Sequence, residues 1–219
     1  MIETAWSPPR RAAPAGGSGR IGEPRAKQQR SRLNREALMD ALQELLDERA
    51  YAEIGISEIA RRAGLTTGAL YARFGDKHGL AMALHERFAQ HSLEAINAWA
   101  SRPEWAAATS RDIVANWARG AVNFCRMYRP LLSVMMNDPA VRESYDELIA
   151  VPAEHLARLV GEAVTRHPEL GIKSGEGFRR DVEWAGRAAI AVLERFELDD
   201  EIESRIDTML RRLIGIEAG

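Results

Sequence analysis

Between Gln28 and Arg49 the apolar residues Leu33, Ala37, Leu38, Ala41, Leu42, Leu45 and Leu46 recur at intervals of three and four, the period of an amphipathic helix. After a short connection in which Tyr51 and Ile54 plug the base of a small core, Ile59, Ala60 and Ala63 mark one narrow face of a second helix. Gly64 ends it, and only Leu65 and Thr66 separate it from the next helical start, where Thr66 or Thr67 offers a capping hydroxyl. Leu70 then points back into the pair, while Thr67, Gly68, Tyr71 and Ala72 lie nearer the outside. Two short helices around so tight a turn predict a helix-turn-helix, covered by the first helix because neither short one is stable alone.

Gly75 breaks the third helix and Asp76 caps a fourth, whose pattern (Leu80, Leu84, Phe88, His91, Leu93, Ile96) runs to about Trp99. At about 1.5 Å per residue it exceeds roughly 30 Å, so a tilt at one end moves the other. Beyond Pro103 the period stays helical over 110–128, 130–137, 139–166 with a break or bend near Pro152, 178–196 and 201–216. Residues 178–196 read as apolar almost all round, which predicts burial on every side. The expected fold is therefore all-α, with a disordered tail over 1–24, a three-helix helix-turn-helix domain over 25–77 and a second helical domain over 78–219.

Charge adds a direction to this picture. The net charge of −2 conceals a basic end, since residues 1–80 hold 13 Lys and Arg against 10 Asp and Glu. Six cations between Arg20 and Arg35 face Glu23 alone and abut the motif, so Arg30 and Arg32 lie where a polyanion would pass. Lys77, in the first turn of its helix, opposes the helix dipole, which a phosphate held between ammonium and backbone donors would explain.

Other chemistries find little support. There is no P-loop, HExxH, GxSxG or Cys-x-x-Cys, and Glu183 and Arg187 pair at i, i+4. Gly17, Gly19 and Gly22 spell GxGxxG without a preceding strand. His85 and His91 fall on nearly opposite sides of one helix, so no metal site is expected, nor a cofactor. Lone Cys125 reads as a buried hydrophobe, and the lack of a signal peptide or membrane-length apolar run predicts a cytoplasmic protein.

The stretch Ile56 to Lys77, ISEIARRAGLTTGALYARFGDK, resembles the DNA-binding signature of the tetracycline-repressor (TetR-type) family of transcriptional regulators, and the resemblance spans about Arg30 to Leu84. It implies that Thr67, Gly68, Tyr71 and Arg73 face DNA and that Tyr71 and Lys77 touch phosphates. That family commonly places Thr or Ser at the start of the first motif helix; here Ile54 and Gly55 stand there, so Ser57 must supply any hydroxyl contact.

Two roles compete for the C-terminal apolar surface. Ala185, Gly186, Ala188 and Ala189 permit close approach of the last two helices to a second copy, giving a four-helix homodimer interface suited to half-sites about 34–36 Å apart on a palindromic operator. Trp99, Trp117, Phe124, Tyr128, Met135, Met136 and Trp184, with Asn116 and Asn123 as polar anchors, are candidates for lining an effector cavity. The resemblance implies a small, largely apolar effector that releases double-stranded DNA. A helical adaptor whose motif contacts protein is the alternative.

Overall fold

The computed structural model describes residues 23–135, 139–168, 171–172, 174–195 and 197–216, with the backbone alone at 23–27, 133–135, 139–142 and 144. Among the described residues the order is α1 (Glu23–Glu48), a 3-10 turn (Tyr51–Glu53), α2 (Ile56–Arg62), α3 (Thr67–Phe74), α4 (Lys77–Ala100), a second 3-10 turn (Pro103–Ala106), α5 (Ser110–Met135), α6 (Pro139–Arg166), α7 (Glu176–Arg195) and α8 (Ile202–Leu213). The all-α expectation holds. The tail proposed for 1–24 lies outside the described residues except for Glu23 and Pro24, which form the first turn of α1, where proline's missing N–H costs nothing.

The chain divides into two compact units, with the division inside α4 between Phe88 and Ala89. The first holds described residues 23–88 with 130–135 and 139–141; the second holds 89–129 and 142–216 without the undescribed positions.

In the first unit Leu38, Leu42 and Leu45 of α1, Ile54, Ile59 of α2, Leu70 of α3 and Leu80 of α4 are fully buried or nearly so. At about 1.5–3 kcal/mol for each large side chain, this burial holds α2 and α3, which are too short to stand alone. Leu33 departs from the predicted stripe at 56% exposed. It is nine residues from Leu42, about two and a half turns, and so stands on the opposite side of α1. Arg87, 10% exposed, ties α4 to α1 through Glu36 at 3.0 Å and Asp40 at 2.7 Å. Both carboxylates are needed there, because a desolvated guanidinium without them carries a penalty of several kcal/mol.

In the second unit α5 opens on a capping box in which Asp112 N donates to Thr109 Oγ1 at 3.1 Å and Thr109 N donates to Asp112 Oδ2 at 3.2 Å. The helix then runs unbroken through Pro130, correcting the two segments expected there, and Leu131 and Leu132 beyond the proline are buried. Likewise α6 continues through Pro152. Arg158 donates to the carbonyl of Ala100, and Arg166 to those of Trp105 and Ala108, so α6 supplies donors to carbonyls left over at two helical ends. No helix among the described residues is long and apolar enough to cross a membrane.

Candidate functional site

The turn between α2 and α3 is built from backbone chemistry. Gly64 adopts φ +66°, Leu65 N donates to Ala60 O at 2.8 Å and Gly64 N donates to Arg61 O at 3.1 Å, the paired bonds of a Schellman ending. Thr66 follows as the N-cap of α3, its hydroxyl accepting from Ala69 N at 3.2 Å. With Leu70 buried, the opposite face of α3 presents Thr67, Gly68, Tyr71 and Ala72 to solvent, and Tyr71 is 52% exposed. Ser57 on α2 and Arg30 and Arg32 on α1 are also exposed. Arg73 is only half-buried and turns back on its own helix, with Nη1 donating to Ala69 O at 3.0 Å. Arg35 sits over the Phe74 ring, 5.1 Å from its centroid.

Gly68 carries a signal that pattern alone does not. A Cβ built there meets nothing nearer than Thr66 Oγ1 at 3.8 Å, so packing within the chain does not demand glycine. Glycine inside a helix costs about 1 kcal/mol relative to alanine, an unexplained expense unless something outside the chain comes close.

Lys77 has partners within the chain. Its Nζ donates to Tyr51 O and Ile54 O, both at 2.8 Å, and lies 3.9 Å from the centroid of the Tyr51 ring. The ammonium reaches away from the start of α4 and serves the carbonyl end of the 3-10 turn, which answers the dipole argument without a phosphate. Burial pushes its pKa down. Asp76 does cap α4, accepting from Gly79 N at 2.7 Å. Sequence reasoning missed Gly79 itself, whose Cβ would fall 2.1 Å from Phe74 O; the tight Gly75–Asp76 corner was the available hint.

The proposed effector residues separate. Trp99 Nε1 donates to Asn116 Oδ1 at 2.7 Å, so the aromatic and its supposed anchor partner each other in the core. Trp117 is fully buried and donates to Pro152 O at 2.9 Å. Trp184 is 65% exposed, nine residues and so two and a half turns from buried Leu193. That corrects both its place in a cavity and the expected burial of α7 on every side. Asn123 is half-buried, and the Met135 side chain and all of Met136 lie outside the described residues. Phe124 and Tyr128 do come together, stacked at 5.5 Å, and Tyr145, absent from the sequence reading, extends the stack to Tyr128 at 5.7 Å.

The small residues of α7 serve the chain's own packing. A Cβ on Gly186 would meet Ala153 Cβ at 3.1 Å and Ala153 Cα at 3.3 Å, and Ala185 and Ala189 are buried. Cys125 is buried with its thiol pushed up to about 12 by burial, which suits a packed hydrophobe.

An all-helical chain whose α2 and α3 meet through a four-residue turn, with one face of α3 uncovered, is a helix-turn-helix protein. Residues 38–84 match the family model described as bacterial regulatory proteins, tetR family. The chain is 33% identical over 66 residues to the HTH-type transcriptional regulator AlkX of Mycobacterium tuberculosis, a match covering 30% of this chain and 31% of that protein. It is 41% identical over 59 residues to the A-factor receptor protein of Streptomyces griseus, covering 27% of this chain and 21% of that one. The chain thus matches less than a third of the length of these relatives. The fold is similar to that of a transcriptional regulator from Cytophaga hutchinsonii, with a TM-score of 0.61 at 16% identity over 82% of this chain and 93% of that one.

Proposed function

We propose that this protein is a cytoplasmic, homodimeric transcriptional regulator that binds double-stranded DNA through α3 and is released from a palindromic operator by a small effector. The observation that carries the DNA reading is Gly68, an unpacked glycine on the solvent face of a capped helix, flanked by Thr67 and Tyr71. Small and hydroxyl side chains there let the helix backbone sink into a major groove about 12 Å wide. Ser57, Thr66, Arg30 and Arg32 then meet the phosphates, and Arg73 must leave Ala69 O to do so. Residues 25–77 form the reading part and residues 78–219 the sensing and dimerising part.

Gly68→Leu tests this directly. Replacing an unpacked helical glycine raises the stability of the fold by up to about 1 kcal/mol, so the urea midpoint rises. Binding to an operator selected from genomic fragments falls at least tenfold, because the leucine holds the backbone off the groove. Unchanged affinity in a stabilised variant would remove α3 from the DNA surface. The adaptor alternative predicts duplex binding without a steep salt slope.

Dimerisation rests on the outer faces of α7 and α8 rather than on the small residues first considered. Trp184, Ala188 and Ala191 follow one another at i, i+4 and i+7 on α7, and Leu213 on α8 is 49% exposed beside a groove lined by Arg205, Met209 and Arg212. Two copies joined there present two α3 helices, as half-sites one helical turn apart require. Trp184→Glu is expected to turn a sedimenting dimer into a monomer at micromolar concentration; dimer in that variant would place the interface elsewhere. The second curated relative is named a receptor, which supports sensing here. Its effect is a shift between two dimer states that space the α3 helices differently.

A further inference from the structure

We propose that Arg35, seated over the Phe74 ring, is a further phosphate-contacting residue of the DNA interface, with Phe74 as its positioning residue. This rests on the reading of α3 as the DNA-contacting helix, and the residues involved lie within one compact unit. Thr67, Tyr71 and Phe74 follow one another at i, i+4 and i+7, so they form one ridge along α3. Thr67 and Tyr71 are exposed and Phe74 is half-buried, with the guanidinium carbon of Arg35 over its ring, 5.1 Å from the centroid. That contact places a cation of α1 at the end of the ridge, about one helical turn beyond Tyr71.

The charge is otherwise uncommitted. Arg35 is exposed, and among the described residues it has no hydrogen-bond or ion-pair partner. Glu36, next along the chain, is engaged by Arg87 at 3.0 Å, and Asp40 by the same guanidinium at 2.7 Å. No acidic residue lies between Gln28 and Arg35, while Arg30 and Arg32 on the same helix are exposed. Like charges gathered without a counter-ion repel one another, an arrangement that becomes favourable once a polyanion lies against it.

Arginine suits this place better than lysine. A guanidinium can rest its face on a ring and still aim N–H donors from its edge at two phosphate oxygens, which an ammonium cannot. A long side chain seated in advance also has less rotamer entropy to lose when DNA arrives. An arginine resting on a ring for stability alone predicts no dependence of DNA binding on its charge, and this is where the two roles part.

The test is binding of the full chain to an operator selected from genomic fragments, followed against salt concentration, with urea unfolding to show that each variant folds. Arg35→Gln is expected to lower the slope of log affinity against log salt by about 0.9 and to weaken binding about tenfold at low salt. Arg35→Lys keeps the slope, because the charge remains, and loses about threefold in affinity, because the planar fork is gone. Phe74→Leu loses about as much with the slope retained, and adding Arg35→Lys to it costs nothing further, since the lysine removes only what the ring had supplied. An unchanged slope in Arg35→Gln overturns the phosphate contact, and additive losses in the double variant overturn the role of Phe74. The two Arg35 variants decide the contact whether or not Phe74→Leu folds. Either failure beside a steep slope in the unaltered chain leaves the DNA reading standing, whereas an unaltered chain without salt-dependent duplex binding overturns both.

Discussion

Replacing Gly79 by alanine is expected to destabilise the first unit by about 3 kcal/mol or more, the upper range of overpacking costs. The added Cβ would lie 2.1 Å from Phe74 O and 3.2 Å from Phe74 C, both backbone atoms at the end of α3. A flexible side chain can move aside from such a contact; a carbonyl that ends a helix cannot without turning the helix. The same corner is held by Asp76 Oδ1 accepting from Gly79 N, so opening it also breaks the cap of α4. Urea unfolding of Gly79→Ala beside Gly55→Ala, where the new Cβ meets nothing within 4 Å, provides the comparison. Equal midpoints would mean that α3 and α4 can separate freely at their junction, and the orientation of α3 would then need another source.

The second large effect is expected at Lys77. Lys77→Met preserves the aliphatic stem but deprives Tyr51 O and Ile54 O of their shared donor and the Tyr51 ring of its cation. Ile54 is 2% exposed and immediately precedes Gly55, the N-cap of α2, so the loss falls at the entry to the motif. Hydrogen bonds from a charged donor contribute about 1.5–3 kcal/mol each, so we expect a loss of about 2–4 kcal/mol in stability and weaker binding to every DNA sequence. The salt dependence separates this from a phosphate contact. Neutralising a lysine that touches phosphate lowers the slope of log affinity against log salt by about 0.9. Lys77→Met should leave the slope unchanged, whereas Arg30→Gln lowers it; a reduced slope for Lys77→Met would restore the contact that the sequence suggested.

These two residues show why a site can be half legible. Lys77 stands out in the sequence because a cation in a first turn is electrostatically out of place. Its remedy lies 23 and 26 residues earlier in the chain, at carbonyls that share no local pattern with it. Gly79 left no trace in periodicity, because a missing side chain matters only once another backbone arrives. The exposed face of α3, by contrast, follows from Leu70 alone: once one residue of a short helix points inward, its period places Thr67, Gly68, Tyr71 and Ala72.

The C-terminal half is less legible in the sequence for the same reason. Composition selected aromatic residues as a group, yet Trp99 is bonded to Asn116, Trp117 to Pro152 O, and Trp184 faces solvent. Tyr145 on α6, which extends the Phe124–Tyr128 stack, is ordinary in its own stretch.

The helix positions of the motif, the turn at Gly64, the caps at Thr66 and Asp76 and the family resemblance were determined by the chain's own order, since each depends on groups within a few residues of one another. The partner of each helix face was decided only by tertiary structure. Gly186 is spent on Ala153, and Lys77 on the turn before α2. A helix period fixes which residues share a side, but the energy of that side depends on what the other helices bring to it.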